Sequence, residues 1–171
     1  MVCWPPDYHT ELEIIGFEEA WKFAIPVLID EKLSLVVKCI SIAGLTVLKL
    51  IAWDSRNTNK EKDATDLFLF LKYYAEIGNM DRLYSEEILL LEQEDFNVEM
   101  AGIRLLGNDV GRMVKKRTRD RIMAILERET DENGQITLIG EMIRYFPEKE
   151  NSFRSNLIRL QKLKQGIEEI K

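Results

Sequence analysis

The sequence has almost no histidine or cysteine, and this narrows the chemistry open to it. Its 171 residues include one histidine, His9, and two cysteines, Cys3 and Cys39. One imidazole cannot form a zinc site of several histidines, and Ser-His or Cys-His catalysis would depend on His9, near the start of the chain. The cysteines are far apart and form no C-x-x-C pair, which favours a reduced chain over a disulfide-stabilised one. Carboxylates, lysines and arginines are therefore left to carry any chemistry.

We also expect no segment for export or membrane insertion in this sequence. The opening residues, MVCWPPDYHTELE, have neither the basic region nor the apolar region of a signal peptide. The longest apolar run, Ile40–Trp53, contains Lys49 and is too short to span a bilayer. With a net charge of −6, the chain has no overall positive field to attract nucleic acid. We expect a cytoplasmic protein with no membrane partner.

Hydropathy patterns place strands first and helices afterwards. Alternation predicts a strand at 11–15, and two runs rich in Val, Ile and Leu predict strands at 27–29 and 35–40. Between the first two strands, residues 17–24 show one apolar helical face. Beyond the stretch that starts at residue 41, the remaining predicted helices span residues 59–77, 85–94, 97–115, 118–129, 138–145 and 152–170. The order of elements predicts an α+β fold.

A lysine lies within the most apolar of these helices, which begins after the candidate N-cap Ser41. At 100° per residue, apolar side chains flank Lys49 on both sides of the helix. A cation in such a setting needs a partner or a function, although a long lysine can also extend out of an apolar face to water.

The next helix supplies two candidate partners for that lysine. Thr58 and Glu61 have the spacing of a capping box at its start. Asp63 and Asp66 follow at i, i+3 and project from neighbouring positions. We expect them to compensate the charge of Lys49. Acidic residues are favoured in a first helical turn in any protein, so a structural role and a functional one are both open.

A second pair of carboxylates lies earlier in the chain. Glu11 and Glu13 are two residues apart on the predicted strand and share one face of it. Two acids in this arrangement can hold Mg²⁺. Simple alternation on a solvent-exposed strand face explains them as well.

Basic side chains cluster around residues 112–121. The cluster comprises Arg112, Lys115, Lys116, Arg117, Arg119 and Arg121. If a helix continues through this region, most of them share one face, which can bind phosphates of RNA or of a nucleotide, or an acidic partner. A solvated basic face beside the acidic helix at 85–95 is the other interpretation, and no aromatic residues interleave as they do in single-strand binding sites.

An apolar stripe at helical spacing marks the last predicted helix. It consists of Phe153, Leu157, Leu160, Leu163, Ile167 and Ile170. Such a stripe can pack on the body of its own chain or serve as a dimer interface.

Four segments, read in order, resemble the later part of a known enzyme family. They are WPPDY–TELEIIGFEEAWKFA, SIAGLTVLKLIAWDSR–NKEKDATDLFLFLKYY, GNMDRLYSEE and EDFNVEMAGIRLLGNDVGRM. They run from about Trp4 to Met113, and their most specific piece is K-L-x-A-(x)-D-x-R followed by K-D-x-x-D-L. In these segments the chain resembles the AbiEii/AbiGii-type nucleotidyltransferases of the DNA polymerase β-like superfamily.

The resemblance implies a mixed α/β catalytic core with a helical C-terminal part. It also implies metal-dependent transfer of a nucleotidyl group from an NTP, in several members to tRNA, by toxins that have a cognate antitoxin or act in phage-abortive systems. By motif, Lys49, Asp63 and Asp66 would be the catalytic residues. Lys49, Arg56 and Lys62 would lie near the phosphates, and Mg²⁺ would be the cofactor.

The chain departs from the family at its catalytic signature. A Gly-Ser or Gly-Gly turn leading to an Asp-x-Asp strand should precede the W-P-P-D loop, and the sequence contains none. Without those aspartates two Mg²⁺ ions lack their main ligands. We therefore expect an N-terminally shortened nucleotidyltransferase-like protein that is weakly active or inactive alone. Residues 1–56 would be a remnant of the catalytic core, and residues 57–171 a helical region packed with it as one unit. The alternative is a non-enzymatic interaction protein, either a toxin–antitoxin partner or a homodimerisation module.

Overall fold

Two short β-hairpins precede a body of helices in the computed structural model, and the fold class is α+β as predicted. The structure describes residues 2–4, 10–56, 60–131, 134, 136–145 and 152–170, and the backbone alone for residues 2–4, 10–12 and 145. β1 (Val2–Trp4) pairs antiparallel with β2 (Thr10–Leu12), and β3 (Ile25–Asp30) pairs antiparallel with β4 (Leu35–Cys39). The short helix α1 (Phe17–Lys22) lies between the two hairpins along the chain.

Helices account for the rest of the described chain. They are α2 (Ile42–Ser55), α3 (Lys60–Tyr73), α4 (Met80–Leu83), α5 (Ile88–Gln93), α6 (Val98–Met113), α7 (Lys116–Thr130), α8 (Leu138–Tyr145) and α9 (Phe153–Glu169). The predicted helix at 85–94 is shorter, at 88–93, and a further short helix, α4, precedes it. Among the helices described, none combines the length and the apolar character needed to cross a membrane. The predicted capping box includes Thr58, which lies outside the described residues.

Helix α2 is surrounded by other helices on several sides. Its N-cap is confirmed, because the Ser41 hydroxyl accepts a hydrogen bond from the Gly44 N–H at 3.2 Å. Val47 and Leu50 are fully buried, and the helix packs against α1, α3, α6 and α7. Because neighbours cover most of its circumference, a charged residue on α2 must lie at the contact with one of them.

Helices α6 and α9 cross at very short distance through glycine. A Cβ atom on Gly107 would lie 2.8 Å from the Cα atom of Gly166, and a Cβ on Gly166 would collide with the carbonyl oxygen of Arg104. No side chain fits there, so the two backbones touch. Across the same contact, the Arg104 guanidinium donates hydrogen bonds to the carboxylate of Glu169, 65 residues later in the sequence.

The apolar stripe of the last helix is used within the chain. Four of its residues are buried against α6, α7 and α8, namely Leu157, Leu160, Leu163 and Ile167. Phe153, at the start of the stripe, stays about half exposed. The first of the two interpretations is therefore correct for these four residues: they pack on the body of their own chain. They are not available for a dimer contact.

Several predicted boundaries were wrong for local backbone reasons. The strand expected at 11–15 ends at Leu12, so Glu13 follows the strand. The strand expected at 27–29 is longer, at Ile25–Asp30, and includes Pro26 opposite Lys38. Proline fits here because β3 is one of only two strands in its sheet and leaves one edge unpaired.

The basic cluster does not form one helical face. The helix ends at Met113, Val114 is extended, and Lys115 is the N-cap residue of a new helix. The break turns the basic residues in different directions, and most meet an acidic or carbonyl partner. These partners are Glu87 and Asp109 for Arg112, Glu18 for Lys115, Asp120 for Lys116, the Ile167 carbonyl for Arg119, and Glu13 and Asp54 for Arg121. The continuous helix on which a shared phosphate-binding face depended is therefore not formed.

Substituting Gly166→Ala should destabilise the protein by about 1–3 kcal/mol, since the added methyl group must push α6 and α9 apart. Gly140→Ala is the matched control, because Gly140 is helical and nothing lies within 4 Å of an added Cβ. The control should be neutral or stabilising by about 0.5–1 kcal/mol. Urea unfolding measures both, and equal effects of the two changes would contradict the close crossing.

Candidate functional site

Lys49 is held between two carboxylates of the neighbouring helix. Its Nζ atom lies 2.9 Å from Oδ1 of Asp63 and 2.6 Å from Oδ2 of Asp66. The prediction that these aspartates compensate the lysine is confirmed. The three side chains meet because α2 packs along α3 and the two aspartates, one helical turn apart, face the same side. The lysine is partly buried, with 27% of its side chain exposed.

Asp63 is the buried centre of this ion cluster. Its side chain is 1% exposed, and its second oxygen, Oδ2, accepts a hydrogen bond from Arg56 at 2.8 Å. Two cations therefore hold the two oxygens of one carboxylate, which is the condition for keeping a charge away from water. Asp66, by contrast, is 40% exposed, and among the residues that the structure describes Lys49 is its one ion-pair partner. The two aspartates thus differ in how firmly they are fixed.

The pKa of Lys49 reflects these partners. Burial of the ammonium group acts to lower the pKa, but the hydrogen bonds and negative charges of Asp66 and Asp63 outweigh it, and the pKa lies above the ordinary lysine value. Lys49 is therefore charged at neutral pH. It can attract an anion or orient a carboxylate, but it cannot accept a proton as a general base.

Two cavities meet at Lys49. One has a volume of about 160 Å³ and is lined by apolar residues of α1 and α2, including Phe17 and Leu48, together with Arg56. The other, of about 360 Å³, is open to solvent and is lined by Lys49, Lys62 and Asp66 among others. Arg56 and Lys62, which were predicted to lie near the phosphates together with Lys49, thus each line a cavity that Lys49 also lines. An anion entering either cavity would meet two basic side chains and two carboxylates, which are Glu13 and Asp63 in the smaller cavity and Glu61 and Asp66 in the open one.

Of the two predicted metal ligands, Glu11 and Glu13, the structure describes the side chain of Glu13 alone. Glu13 lines the smaller cavity, but its carboxylate accepts two hydrogen bonds from Arg121, at 3.2 and 3.3 Å. The side chain of Glu11 lies outside the described residues. Within the described chain, no three His, Cys, Asp or Glu side chains are grouped so that they could hold a metal ion. The carboxylates of Glu13, Asp63 and Asp66 are each engaged by lysine or arginine, so this donor set does not fit a resident Mg²⁺.

A second ion cluster, which the sequence did not indicate, lies beside the first. Asp54 of α2 pairs with Arg121 at 2.7 Å and with Arg128, both on α7. Through Arg121 this cluster reaches Glu13 and the smaller cavity. Asp54 and Arg121 are far apart in sequence, and helical spacing within either segment could not have revealed the contact. The signal in the sequence was weaker: two arginines, seven residues apart, that lie on the same face of one helix.

Asp63→Asn should cost about 3 kcal/mol of stability, because it leaves Lys49 and Arg56 facing a neutral group in a buried position. Asp66→Asn should cost less than about 1 kcal/mol, since its carboxylate is solvent-accessible and has one partner. Urea unfolding at neutral pH compares the two. Equal losses, or a larger loss for Asp66→Asn, would contradict the assignment of Asp63 as the buried centre.

The Asp54 cluster predicts a defined pH dependence. Burial acts to raise the pKa of Asp54, but hydrogen bonds and charges from Arg128 and Arg121 prevail and lower it. A carboxyl group with a lowered pKa stabilises the fold above its unfolded-state pKa of about 4, and this stability is lost as the pH falls through the folded-state value. Asp54→Asn should therefore cost about 1–2 kcal/mol at pH 7 and progressively less below pH 4.

Asp120→Asn is the control for this pH series. Asp120 pairs with Lys116 on an exposed surface of the same helix, α7, at 3.4 Å. The change should alter stability by less than about 0.5 kcal/mol at either pH. A cost for Asp54→Asn that stays constant down to pH 3 would show that the arginines do not lower the pKa of Asp54.

Comparisons with known proteins gave no match from which a role for these residues could be inferred. No protein-family model matches the sequence. No curated protein and no solved structure matches it either.

Proposed function

We propose that this chain is a nucleotidyltransferase-like protein of the AbiEii type that binds the triphosphate of an NTP at Lys49 and Arg56. On its own it transfers nucleotidyl groups weakly or not at all. The observation that carries the proposal is the paired cation: a charged lysine held by two aspartates at the wall between two cavities, with Arg56 bordering one of them. A triphosphate offers several anionic oxygens that match such a pair.

The unequal hold of the two aspartates suggests how a triphosphate would enter. Asp63 is fixed by two cations and stays in place. Asp66 is exposed and gives way, so that phosphate oxygens replace its carboxylate on Lys49. In this proposal Asp63 and Asp66 are positioning residues for the lysine, and Lys62, in the open cavity, assists with phosphate charge.

Magnesium and the acceptor belong to the proposal as family expectations. Because the described carboxylates do not form a metal-binding group, Mg²⁺ would arrive with the nucleotide, bound to its phosphates. The acceptor class, tRNA or another RNA, and a cognate antitoxin rest on the resemblance alone.

Titration calorimetry with Mg·ATP tests the site. The wild type should bind, Lys49→Ala and Arg56→Ala should weaken binding at least about tenfold, and Asp66→Asn should strengthen it, since a competing anion is removed. Lys49→Ala and Asp66→Asn disrupt the same ion pair but should change the affinity for Mg·ATP in opposite directions. A mere loss of stability would lower the affinity in both variants. Circular dichroism confirms that each variant is folded.

Lys116→Ala is the matched control for charge, because Lys116 is almost fully exposed and lies on another helix. It should bind Mg·ATP as the wild type does. Absence of binding by the wild type, or equal binding by the wild type and Lys49→Ala, rejects the nucleotide site. Weaker binding by Asp66→Asn would instead make Asp66 a contributor to binding, contrary to its role as a displaced partner.

A further inference from the structure

The hairpin of β3 and β4 exposes apolar side chains on both of its faces. Cross-strand partners lie on the same face, so Val27 and Val37 belong to one face and Leu28 and Val36 to the other. The exposed large apolar residues of the hairpin are Ile25, Leu28, Ile29, Leu33, Leu35, Val36 and Val37. Strands with apolar residues on both faces normally lie inside a larger sheet or between layers. An isolated two-stranded hairpin is also only marginally stable in water.

The outer edges of β3 and β4 differ in how well each could pair with a further strand. Pro26 has no N–H group to donate, and the register shifts between Leu28 and Asp30, so β3 offers an interrupted edge. β4 runs from Leu35 to Cys39 without proline or bulge. In the part of the chain that the structure describes, its only pairing partner is β3. The edge of β4 is therefore the one suited to receive a further strand.

A charge that would normally protect such an edge is turned away. Lysine on an edge strand discourages edge-to-edge pairing. Lys38 is the single charged residue of β4, and its ammonium group lies 5.1 Å from the centre of the Trp21 ring, on α1 of the same chain. The edge is left with apolar side chains and backbone groups.

We propose that two copies of this chain pair through their β4 edges into a four-stranded antiparallel sheet centred on Val37. In this register Leu35 lies opposite Cys39 of the second copy, and Val36 lies opposite Lys38 of the second copy. One face joins apolar residues only, and on the other the hydrocarbon stem of each lysine covers a valine. The two lysines are diagonal neighbours and not directly opposite each other, and all five residues of β4 are paired. Centring the contact on Lys38 would instead place the two lysines opposite each other.

The register makes a test possible at a single position. Val36 is 54% exposed, so charged substitutions there are compatible with the folded monomer. Val36→Lys would place lysine opposite Lys38 of the second copy at two symmetric positions, whereas Val36→Glu would place glutamate there. We expect the wild type to be a dimer in sedimentation equilibrium of the full chain. Val36→Lys should raise the dimer dissociation constant at least about tenfold, and Val36→Glu should leave it unchanged or lower it.

Two further variants complete the design. The double variant Val36→Lys with Lys38→Glu restores opposite charges across the axis and should restore the dimer. Leu89→Lys adds the same charge at an exposed leucine of α5 and should dimerise as the wild type does. A wild type that is monomeric at every concentration overturns the proposal, including the case in which a different protein covers the edge. Equal weakening by Val36→Lys and Val36→Glu, or no weakening by Val36→Lys, also overturns it.

Discussion

The buried carboxylate of Asp63 is the constraint around which the site is built. With 1% of its side chain exposed, it is stable as an anion only while Lys49 and Arg56 supply charge and hydrogen bonds to both of its oxygens. Those cations come from the middle and the end of α2, so one carboxylate fixes the contact between α2 and α3 at two levels. The same contact places the lysine between two cavities. Packing and electrostatics therefore specify the same arrangement, and neither helix can shift along the other without exposing a charge to an apolar wall.

Two carboxylates compensate the positive charge of Lys49, and this limits how strongly the lysine can attract a further anion. Lys49 carries its charge at neutral pH, yet two carboxylates already compensate it. An incoming anion can bind Lys49 only by displacing the carboxylate of Asp66, the more exposed of the two partners. Anion selectivity at such a site comes from competition: a group with several negative oxygens can displace a single carboxylate, and a weak anion cannot. In the proposed nucleotide site, Arg56 and Lys62 would add to this preference, because each lines one of the cavities, while Glu13 and Glu61 would oppose it.

Sequence reasoning succeeded where the interaction was local or periodic. Ser41 was recognised as an N-cap from its residue type, and Asp63 and Asp66 were recognised as partners of Lys49 from one-turn spacing and an unmatched charge. It failed where the local backbone conformation decided the outcome: the extended residues Val114 and Lys115 divide a basic run that has uninterrupted helical periodicity. It was silent on Asp54 and Arg121, since the pairing of α2 with α7 is a property of the tertiary fold. Pro26 is a further exception to the local rules. Proline usually ends a helix or a strand, but it is tolerated at the edge of a two-stranded sheet.

The glycine contact between α6 and α9 has a consequence for how the chain is made. The groove on α6 at Gly107 accepts only the backbone around Gly166, and the ion pair that accompanies it joins residues 65 positions apart. During translation, α6 leaves the ribosome well before α9, so the part of its surface that α9 covers stays exposed while α7 and α8 are synthesised. A nascent chain that ends between the two helices therefore exposes an apolar strip on α6, and exposed apolar surface of this kind favours aggregation.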